Sequence, residues 1–418
     1  MNPENTESPA TELPADDSAD RLLAIRARSI LTLAGEGPAR AARLFAPLKK
    51  IDNGVLLVRD GLVEDVLPWS QVRLPACALV RDVGPVCLAP ACVNAHTHLE
   101  LSHLAEKTRW GRGFAEWLQS LVPLLGAAPQ TDAVENACAS LALYGTLYVG
   151  NITGSLPGGT VLADSACNEA GLTVSHFCEW FGYDAPFADN ERPWPPRCRQ
   201  ALADDPFLMA RCAPGGHALY STGPEILAAA RQDCARMGRV FSFHLAESPE
   251  ETQMLTTGDG PLRAFYDKVV LPQGWEAPGM RPLAYALKLG LLGPGTLAVH
   301  GVQLDAQEVE VLAASGAALC LCPRSNRNLG VGVAPVREMM ESGALLCLGT
   351  DGLTSNRDLD VRKEAVWLRE TLDVPPEALV RMLTVNGAAA LNVLDCGAGR
   401  LEKGGPADFC VLPEILTY

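Results

Sequence analysis

The sequence predicts an α/β fold, in which a closed (β/α)8 barrel is combined with a small β-sandwich domain formed by both chain ends. Three observations support this prediction. Eight apolar, strand-like runs alternate with amphipathic helical segments through the middle of the 418-residue chain. Short strand-like runs with turn signals stand before and after that region. No Gly-x-Gly-x-x-Gly motif follows the first of the eight runs, which disfavours the alternative of a doubly wound open sheet.

The β-sandwich is predicted from the two ends of the chain. The first twenty residues are polar and acidic and predict a disordered tail. The run Leu22–Leu33 reads as a strand, and the dipeptide Asp60-Gly61 between two apolar runs predicts a hairpin. Near the other end, residues 399–412 read as a turn followed by a strand. The predicted boundaries are 1–20 for the tail, 21–87 and 391–418 for the two parts of the sandwich, and 88–390 for the barrel.

Between these ends, strands and helices alternate as a parallel barrel requires. Two connections, Phe181–Arg199 and Ser248–Gly293, are long and carry aromatic residues, so we expect them to wall a pocket. The strand candidates end near His98, Asn151, Glu179, Pro214, His244, His300, Pro323 and Asp351. The helical candidates are Asp132–Tyr144, Leu162–Ala170, Pro224–Met237, Pro282–Leu291, Ala306–Ser315, Pro335–Ser342 and Asp358–Leu372.

Composition excludes several functional classes. The formal net charge of −15 argues against nucleic acid and anionic membranes as partners, because both require a basic face. The fourteen cysteines are scattered without a Cys-x-x-Cys motif, and the amino terminus lacks the basic and apolar regions of a signal peptide. We therefore expect reduced thiols in a cytoplasmic protein that acts on a small molecule, with homodimer formation left open.

Polar residues that can bind a metal recur at the ends of the predicted barrel strands. His96 and His98 end the first strand, His244 the fifth, His300 the sixth and Asp351 the eighth. Four of the seven histidines should therefore gather at one mouth of the barrel, where catalytic sites of such barrels form. Imidazoles and a carboxylate suit Zn²⁺, with Fe²⁺ as the alternative.

The chemistry of such a site suggests roles for two further groups. A divalent ion with a position left for water lowers the pKa of that water from about 15.7 to about 7. Glu247, three residues after His244, is placed to pass a proton to a substrate as a general acid. His300 either orients the nucleophile or ligates the metal directly, and the sequence leaves both roles open.

These motifs resemble the amidohydrolase superfamily, in particular its cytosine-deaminase-like branch, over about residues 22–412. The residues that carry the resemblance are His96-Thr97-His98, His244-x-x-Glu247, His300, Thr350-Asp351-Gly352, His217-Ala-Leu-Tyr-Ser221 and Cys322-Pro-Arg-Ser-Asn326. The resemblance implies one divalent metal ion per chain, held by His96, His98, His244 and Asp351. A mononuclear site is implied because the predicted fourth strand, Phe207 to Pro214, has no lysine for a carboxylated-lysine bridge.

The resemblance also implies catalytic roles. Glu247 would protonate the ring nitrogen beside the attacked carbon, and His300 would steady the attacking hydroxide. Asp351 would take a proton from that hydroxide and help to deliver it to departing ammonia. His217 would contact the substrate. We also expect Ser325, within the motif after strand seven, to bind substrate.

Finer sequence similarity suggests the substrate. The segments Asn94–Ser102, Phe114–Leu118, Gly150–Thr153 and Cys322–Gly330 look most like aminofutalosine deaminases, which act on an adenosine derivative in the futalosine route to menaquinone. The ribose-binding glutamate of S-adenosylhomocysteine and methylthioadenosine deaminases has no match after Trp117. Glu100 is therefore expected to bind the sugar hydroxyls.

Other readings remain open at this point. Arg324, Arg327 or Arg281 would receive the benzoate carboxylate of an aminofutalosine-type substrate. The alternatives are deamination of adenosylhomocysteine, methylthioadenosine or guanine, a triazine hydrolase or chlorohydrolase reaction, and cyclic amide hydrolysis. A non-catalytic scaffold is disfavoured, because every position of the mononuclear ligand set is filled.

Overall fold

The computed structural model describes residues 22–184 and 193–417, and its fold confirms the predicted α/β barrel with an accessory β-unit. The strands are β1 (Leu23–Leu31), β2 (Lys50–Arg59), β3 (Leu62–Pro68), β4 (Leu79–Asp82), β5 (Cys87–Pro90), β6 (Cys92–Thr97), β7 (Thr146–Thr153), β8 (Thr173–Trp180), β9 (Cys212–Gly216), β10 (Phe241–Leu245), β11 (Thr296–His300), β12 (Ala318–Leu321), β13 (Leu345–Leu348) and β14 (Phe409–Leu412).

The helices mostly follow barrel strands. They are α1 (Phe114–Leu121), α2 (Thr131–Leu143), α3 (Gly159–Glu169), α4 (Pro196–Asp204), α5 (Pro206–Arg211), α6 (Pro224–Met237), α7 (Pro249–Thr257), α8 (Pro261–Tyr266), α9 (Pro282–Lys288), α10 (Ala306–Ser315), α11 (Pro323–Leu329), α12 (Val336–Ser342), α13 (Val361–Leu372), α14 (Pro376–Leu383) and α15 (Val385–Ala390). Short 3-10 helices cover Ala41–Phe45, Trp69–Gln71, Leu99–Leu104, Val122–Leu124, Leu394–Cys396 and Glu414–Leu416.

The barrel consists of two four-stranded parallel sheets, β6-β7-β8-β9 and β10-β11-β12-β13, which meet at two seams. At one seam, the His244 amide donates to the carbonyl oxygen of His217 over 2.9 Å. At the other, the amides of Thr350 and Asp351 both donate to the carbonyl oxygen of His96, over 3.1 and 3.0 Å. Backbone hydrogen bonds therefore close the barrel, and both seams pass through residues of the candidate site.

The two ends of the described chain, for which we predicted a small β-sandwich, share a six-stranded sheet beside the barrel. The central strand of this sheet is β1, which pairs antiparallel with β2 on one side. On its other side, the first half of β1 pairs in parallel with β4 and the second half in parallel with β5. The carboxyl-terminal strand β14 closes the far edge against β5. Asp60 and Gly61 both have positive φ, 52° and 76°, as the predicted two-residue hairpin requires. The exact domain boundaries stay a prediction, and residues 1–20 lie outside the described ranges.

One strand assignment was wrong at its start. We expected the fourth barrel strand over Phe207–Pro214, but the chain forms helix α5 up to Arg211 before β9 begins. The reason is local: the Asp205 carboxylate accepts from the amides of Phe207 and Leu208 over 2.8 and 3.0 Å, and Pro206 starts the helix without needing a donor. The observed strand β9 also contains no lysine.

The long connections have more helix than the sequence suggested. Helices α7 and α8 lie in the connection 248–293 in addition to α9, which matches the predicted helix Pro282–Leu291, and α4 lies at the end of the connection that begins at Phe181. Phe187, which we expected in the pocket wall, lies outside the described residues. Every cysteine is a free thiol, twelve of them buried. None of the helices in the described ranges is long and apolar enough to span a membrane.

Gly150 on β7 is a position where a side chain has no room. A Cβ atom there would lie 2.3 Å from the carbonyl oxygen of Ala95 and 2.9 Å from a methyl group of Leu391. The β6–β7 register shifts at this point, between Asn94 and Thr97. We expect Gly150→Ala to destabilise the protein by about 1–3 kcal/mol, as overpacking of a core does.

Urea unfolding followed by circular dichroism would measure this effect. Gly37→Ala is the matched control, because a Cβ atom there meets no atom within 4 Å and its φ is not positive. The control should change stability by less than about 0.5 kcal/mol. Equal urea midpoints for the two variants would contradict the close packing of β6 on β7.

Candidate metal centre and substrate pocket

Three of the predicted metal ligands meet at the seam between β6 and β13. His96 lies on β6, His98 directly follows it, and Asp351 follows β13. Asp351 Oδ1 lies 3.6 Å from His96 Nε2 and 3.3 Å from His98 Nε2. The two imidazole rings are 5.0 Å apart and nearly perpendicular. The alternation of side chains along a strand thus directs both histidines to the same side, as the His-x-His spacing predicts.

His244 and His300 approach from the other half of the barrel. The ring of His244 on β10 lies 5.0 Å from that of His96 and 5.6 Å from that of His98. Its Nδ1 lies 2.8 Å from the carbonyl oxygen of His217, which can only accept, so Nε2 is the nitrogen left to face the site. His300 on β11 stacks 5.4 Å from His244.

The donor set fits a divalent metal ion. Both ring nitrogens of His96 are buried and lack a hydrogen-bond partner among the described residues, a costly arrangement that a cation would relieve. The ligand atoms of His96, His98 and Asp351 lie within 4.8 Å of one another, as do those of His96, His244 and His300. Burial lowers the pKa of His98 to about 3, so its imidazole is neutral, the form that binds metals.

Asp351 is held in place by two serine hydroxyls. Ser325 and Ser355 each donate to its Oδ2 over 2.7 Å, which leaves Oδ1 facing the histidines. Burial alone would raise the pKa of Asp351, but the neighbouring imidazoles of His96 and His98 bring it well below its usual range. Ser325 is fully buried and does not line the cavity, so the expected substrate contact is corrected to support of Asp351.

Glu247 lies beside His300 in a setting that favours its protonated form. Its Oε1 is 3.6 Å from His300 Nε2, and only 4% of the residue is exposed. Burial raises its pKa well above the usual range, with further contributions from the charges on Asp351 and Glu251. His300 Nδ1 lies 2.9 Å from Asn326 Oδ1. Asn326 belongs to the sequence motif after strand seven, but the sequence did not indicate that it contacts His300.

Glu251 fixes the backbone that carries Glu247. Its carboxylate accepts from the amides of Ala246 and Glu247 over 3.1 and 2.7 Å. The Ser248 hydroxyl in turn accepts from the Glu251 amide at the start of α7. Ser248-x-x-Glu251 has the sequence of a capping box. Here the Glu251 carboxylate also binds the backbone amide of Glu247, and so it positions the candidate acid.

Three strand-end residues of the site have positive φ although none is glycine. The values are 51° for Ala246, 78° for His300 and 60° for Asp351. Such conformations cost about 1–3 kcal/mol each and persist where the surrounding fold imposes them. The barrel thus imposes a strained backbone at the residues that carry or adjoin the candidate catalytic groups.

A cavity of about 520 Å³ opens above these residues, a size that suits one small organic ligand. His98, His244, Glu247, His300 and Asp351 form its inner end. Its apolar wall contains Leu101, Phe114, Trp117, Leu118, Leu121, Val122 and Leu125. Its polar wall contains Ser155, Glu179, Arg197 and His217.

The polar wall includes two residues that sequence reasoning missed. Glu179 was expected only as a strand end, yet it lines the cavity, and burial raises its pKa to about 7. The sequence could have indicated this role, because Glu179 is an acidic residue at the carboxyl end of a predicted barrel strand. Arg197 had no signal, because it follows a proline-rich connection. His217 does line the cavity as expected, with Nδ1 2.5 Å from the Ser221 hydroxyl.

Glu100 does not reach the cavity, which corrects the expected sugar contact. Its carboxylate is 1% exposed and accepts from the Thr153 hydroxyl and from the amides of Gly154, Ser155 and Leu156, over 2.7–3.2 Å. Glu100 therefore anchors the loop after β7. The sequence could not show this, because the partners are backbone amides about fifty residues away.

We expect Glu100→Ala to act on stability first. Removing the carboxylate leaves buried amides unpaired, at about 1–3 kcal/mol for each lost partner. The free energy of unfolding should therefore fall by several times the effect of Glu310→Ala, an exposed site on α10. Thermal unfolding of the two variants would measure the difference. If Glu100→Ala left the stability unchanged and altered KM, the result would instead support the original expectation that Glu100 contacts the substrate.

None of the three arginines expected to bind a carboxylate lines the cavity, and two of them pair with acidic residues elsewhere. Arg324 pairs with Asp358 through two hydrogen bonds of 2.9 and 3.0 Å. Arg281 contacts Glu308 at 2.7 Å. Arg327 is exposed and does not line the cavity. Among the described residues that line the cavity, Arg197 is the one lysine or arginine.

Comparison with known proteins finds both a family model and individual relatives that match this chain. The sequence model of the amidohydrolase family matches residues 87–417. A 5-methylthioadenosine/S-adenosylhomocysteine deaminase of Halobacterium salinarum is 32% identical over 392 residues, covering 86% of this chain and 80% of the relative. The enzyme of the same name from Haloarcula marismortui is 40% identical over 358 residues, covering 79% of this chain and 74% of the relative.

Solved structures share the fold at low sequence identity. Helicobacter pylori aminofutalosine deaminase in complex with methylthio-coformycin has a TM-score of 0.76 and 21% identity, covering 92% of this chain and 91% of that one. A zinc-bound adenosine deaminase from Xanthomonas campestris has a TM-score of 0.72 and 23% identity, covering 93% and 83%. At these identities the likeness shows the fold alone.

Proposed function

Because this chain belongs to the amidohydrolase family, we propose that it is a metal-dependent hydrolytic deaminase of an adenine nucleoside derivative. The enzyme class is a hydrolase of C–N bonds. The observation that carries the proposal is that the proposed ligands and the buried acid Glu247 gather at the inner end of a cavity large enough for a small organic ligand.

His96, His98, His244 and Asp351 would hold the ion, for which we propose Zn²⁺. A bound divalent ion would supply hydroxide at neutral pH, because it lowers the pKa of water from about 15.7 to about 7. His217 and Ser325 keep His244 and Asp351 in the orientation that this requires.

The side chains then account for the proton transfers. Glu247, whose raised pKa favours the protonated form, donates to the ring nitrogen beside the amino-bearing carbon as the nucleophile attacks that carbon. His300, whose Nε2 faces Glu247, accepts a hydrogen bond from the attacking group and steadies it. Asp351 takes a proton and helps to pass it to the amino group, so that the C–N bond breaks and ammonia leaves. One water is consumed, and the purine carbon gains an oxygen.

We propose aminofutalosine as the substrate, with the deamination of methylthioadenosine or S-adenosylhomocysteine as the alternative. Aminofutalosine ends in a benzoate group, an aromatic ring with a carboxylate. The apolar wall around Trp117 and Leu121 suits the ring, and Arg197 suits the carboxylate. The 5-methylthioadenosine/S-adenosylhomocysteine deaminases matched in sequence favour the alternative.

A substrate panel tests the proposal. Ammonia release and the absorbance shift from an adenine-like to a hypoxanthine-like purine would be followed with adenosine, methylthioadenosine, S-adenosylhomocysteine and aminofutalosine. The highest kcat/KM should belong to aminofutalosine. A higher value for methylthioadenosine or S-adenosylhomocysteine would establish the alternative. No turnover of any of the four would contradict nucleoside deamination and turn attention to guanine and triazines.

A further inference from the structure

The carboxyl group of Glu179 is half unpaired inside the cavity. Its Oε1 accepts from the Ser155 hydroxyl over 2.6 Å. Its Oε2 is buried and has no hydrogen-bond partner among the described residues. The residue as a whole is only 8% exposed. A buried polar atom without a partner is costly, and in native proteins it usually marks a place that a ligand or water completes.

The position of this group relative to the metal centre is informative. A carboxyl oxygen of Glu179 and one ring nitrogen each of His217 and His244 lie within 4.8 Å of one another. Glu179 therefore lies next to the inner end of the cavity, where the purine would react. Ser155 and Arg197 continue the polar wall from there, and Arg197 donates to the carbonyl oxygen of Ser155.

We propose that Glu179 binds the ribose hydroxyls of the nucleoside and makes the enzyme selective for ribonucleosides. The inference rests on the proposed function and assigns its sugar subsite. A carboxylate offers about four lone-pair sites, of which the structure shows one in use. A vicinal diol presents two adjacent donors that fit the remaining sites. Glu100, the other candidate, has its oxygens occupied by the loop after β7.

A group built to bind a hydroxyl also rejects analogues that lack it. With the hydroxyl missing, the buried carboxyl group stays unpaired in the complex, and discrimination of about 10⁴–10⁵ is known for such sites. Only part of that effect is expected here, because the cavity is open at its mouth. We expect the wild type to prefer a ribonucleoside over its 2′- and 3′-deoxy analogues by at least about 10²-fold in kcat/KM.

The experiment compares wild type, Glu179→Gln and the surface control Glu310→Gln. Each would be assayed on the best nucleoside of the substrate panel and on its two deoxy analogues. Glu179→Gln should lower kcat/KM for the ribonucleoside by about 10²-fold and for the deoxy analogues by less than about 3-fold, so that most of the discrimination disappears. Glu310→Gln should keep the wild-type ratio.

Several results would overturn the inference. One is an equal loss on all three nucleosides, which indicates a structural role. Another is a second equivalent of bound metal in wild type that disappears in Glu179→Gln, which would make Glu179 a ligand. No turnover of any nucleoside by wild type would refute the proposed function and this inference with it. If Glu179→Gln fails to fold, Ser155→Ala replaces it, because the loss of the 2.6 Å hydrogen bond should also lower the ribose preference.

Discussion

Glu247→Gln should lower kcat by at least about 10²-fold and by up to about 10⁴-fold, the range of a lost general acid. The amide has nearly the same shape but cannot give a proton to the ring nitrogen. Ammonia release on the best nucleoside would measure the loss. The bound metal should remain at one ion per chain, because Glu247 is not among the four proposed ligands.

The pH dependence adds a second readout for the same residue. Burial holds the pKa of Glu247 well above its usual range, so the acid keeps its proton to a higher pH than an exposed glutamate does and loses it as the pH rises through that raised pKa. The wild-type rate should therefore decline on the alkaline side, and Glu247→Gln should lack this decline. Glu310→Gln should keep the wild-type profile. A Glu247→Gln enzyme with more than a tenth of the wild-type kcat would contradict the assignment.

His244→Ala should remove both the metal and the activity. If the binding free energy of a four-ligand site is about 10–16 kcal/mol, one ligand contributes roughly a quarter of it. Losing that ligand would lower the metal affinity by about 10²–10³-fold. Elemental analysis after gel filtration would show near-zero metal in place of one equivalent. Turnover should be undetectable, because the remaining ligands hold the ion too weakly at ordinary concentrations.

The matched control for this variant is His103→Gln. His103 is also buried, but its Nδ1 contacts the carbonyl oxygen of Glu100, and the residue does not line the cavity. His103→Gln should keep its metal and most of its activity. A His244→Ala protein that still holds one ion per chain would show that the ligand set is assigned wrongly.

The barrel and the cluster of candidate ligands were predictable because each depends on a short pattern. Apolar runs that end in His or Asp show both the strand and the end at which its polar residue lies. The same holds for Asp60-Gly61, where the residue types demand the turn. Prediction failed where one particular side-chain partner, distant in the sequence or close by, decided the outcome. Arg324 looked like a free cation until Asp358 was placed beside it, and the helix that Asp205 starts replaced the first half of a predicted strand.

The division of the barrel into two halves has a mechanical consequence. His96 and His98 belong to the half that contains β6–β9, whereas His244 and Asp351 belong to the half that contains β10–β13. An ion held by all four would cross-link the halves. Its binding energy would then add to folding stability by mass action, and chelation should loosen the whole barrel along with the loss of chemistry. The proposed metal site would therefore also stabilise the fold, so that a chain unable to retain its ion would be sensitive to proteolysis as well as inactive.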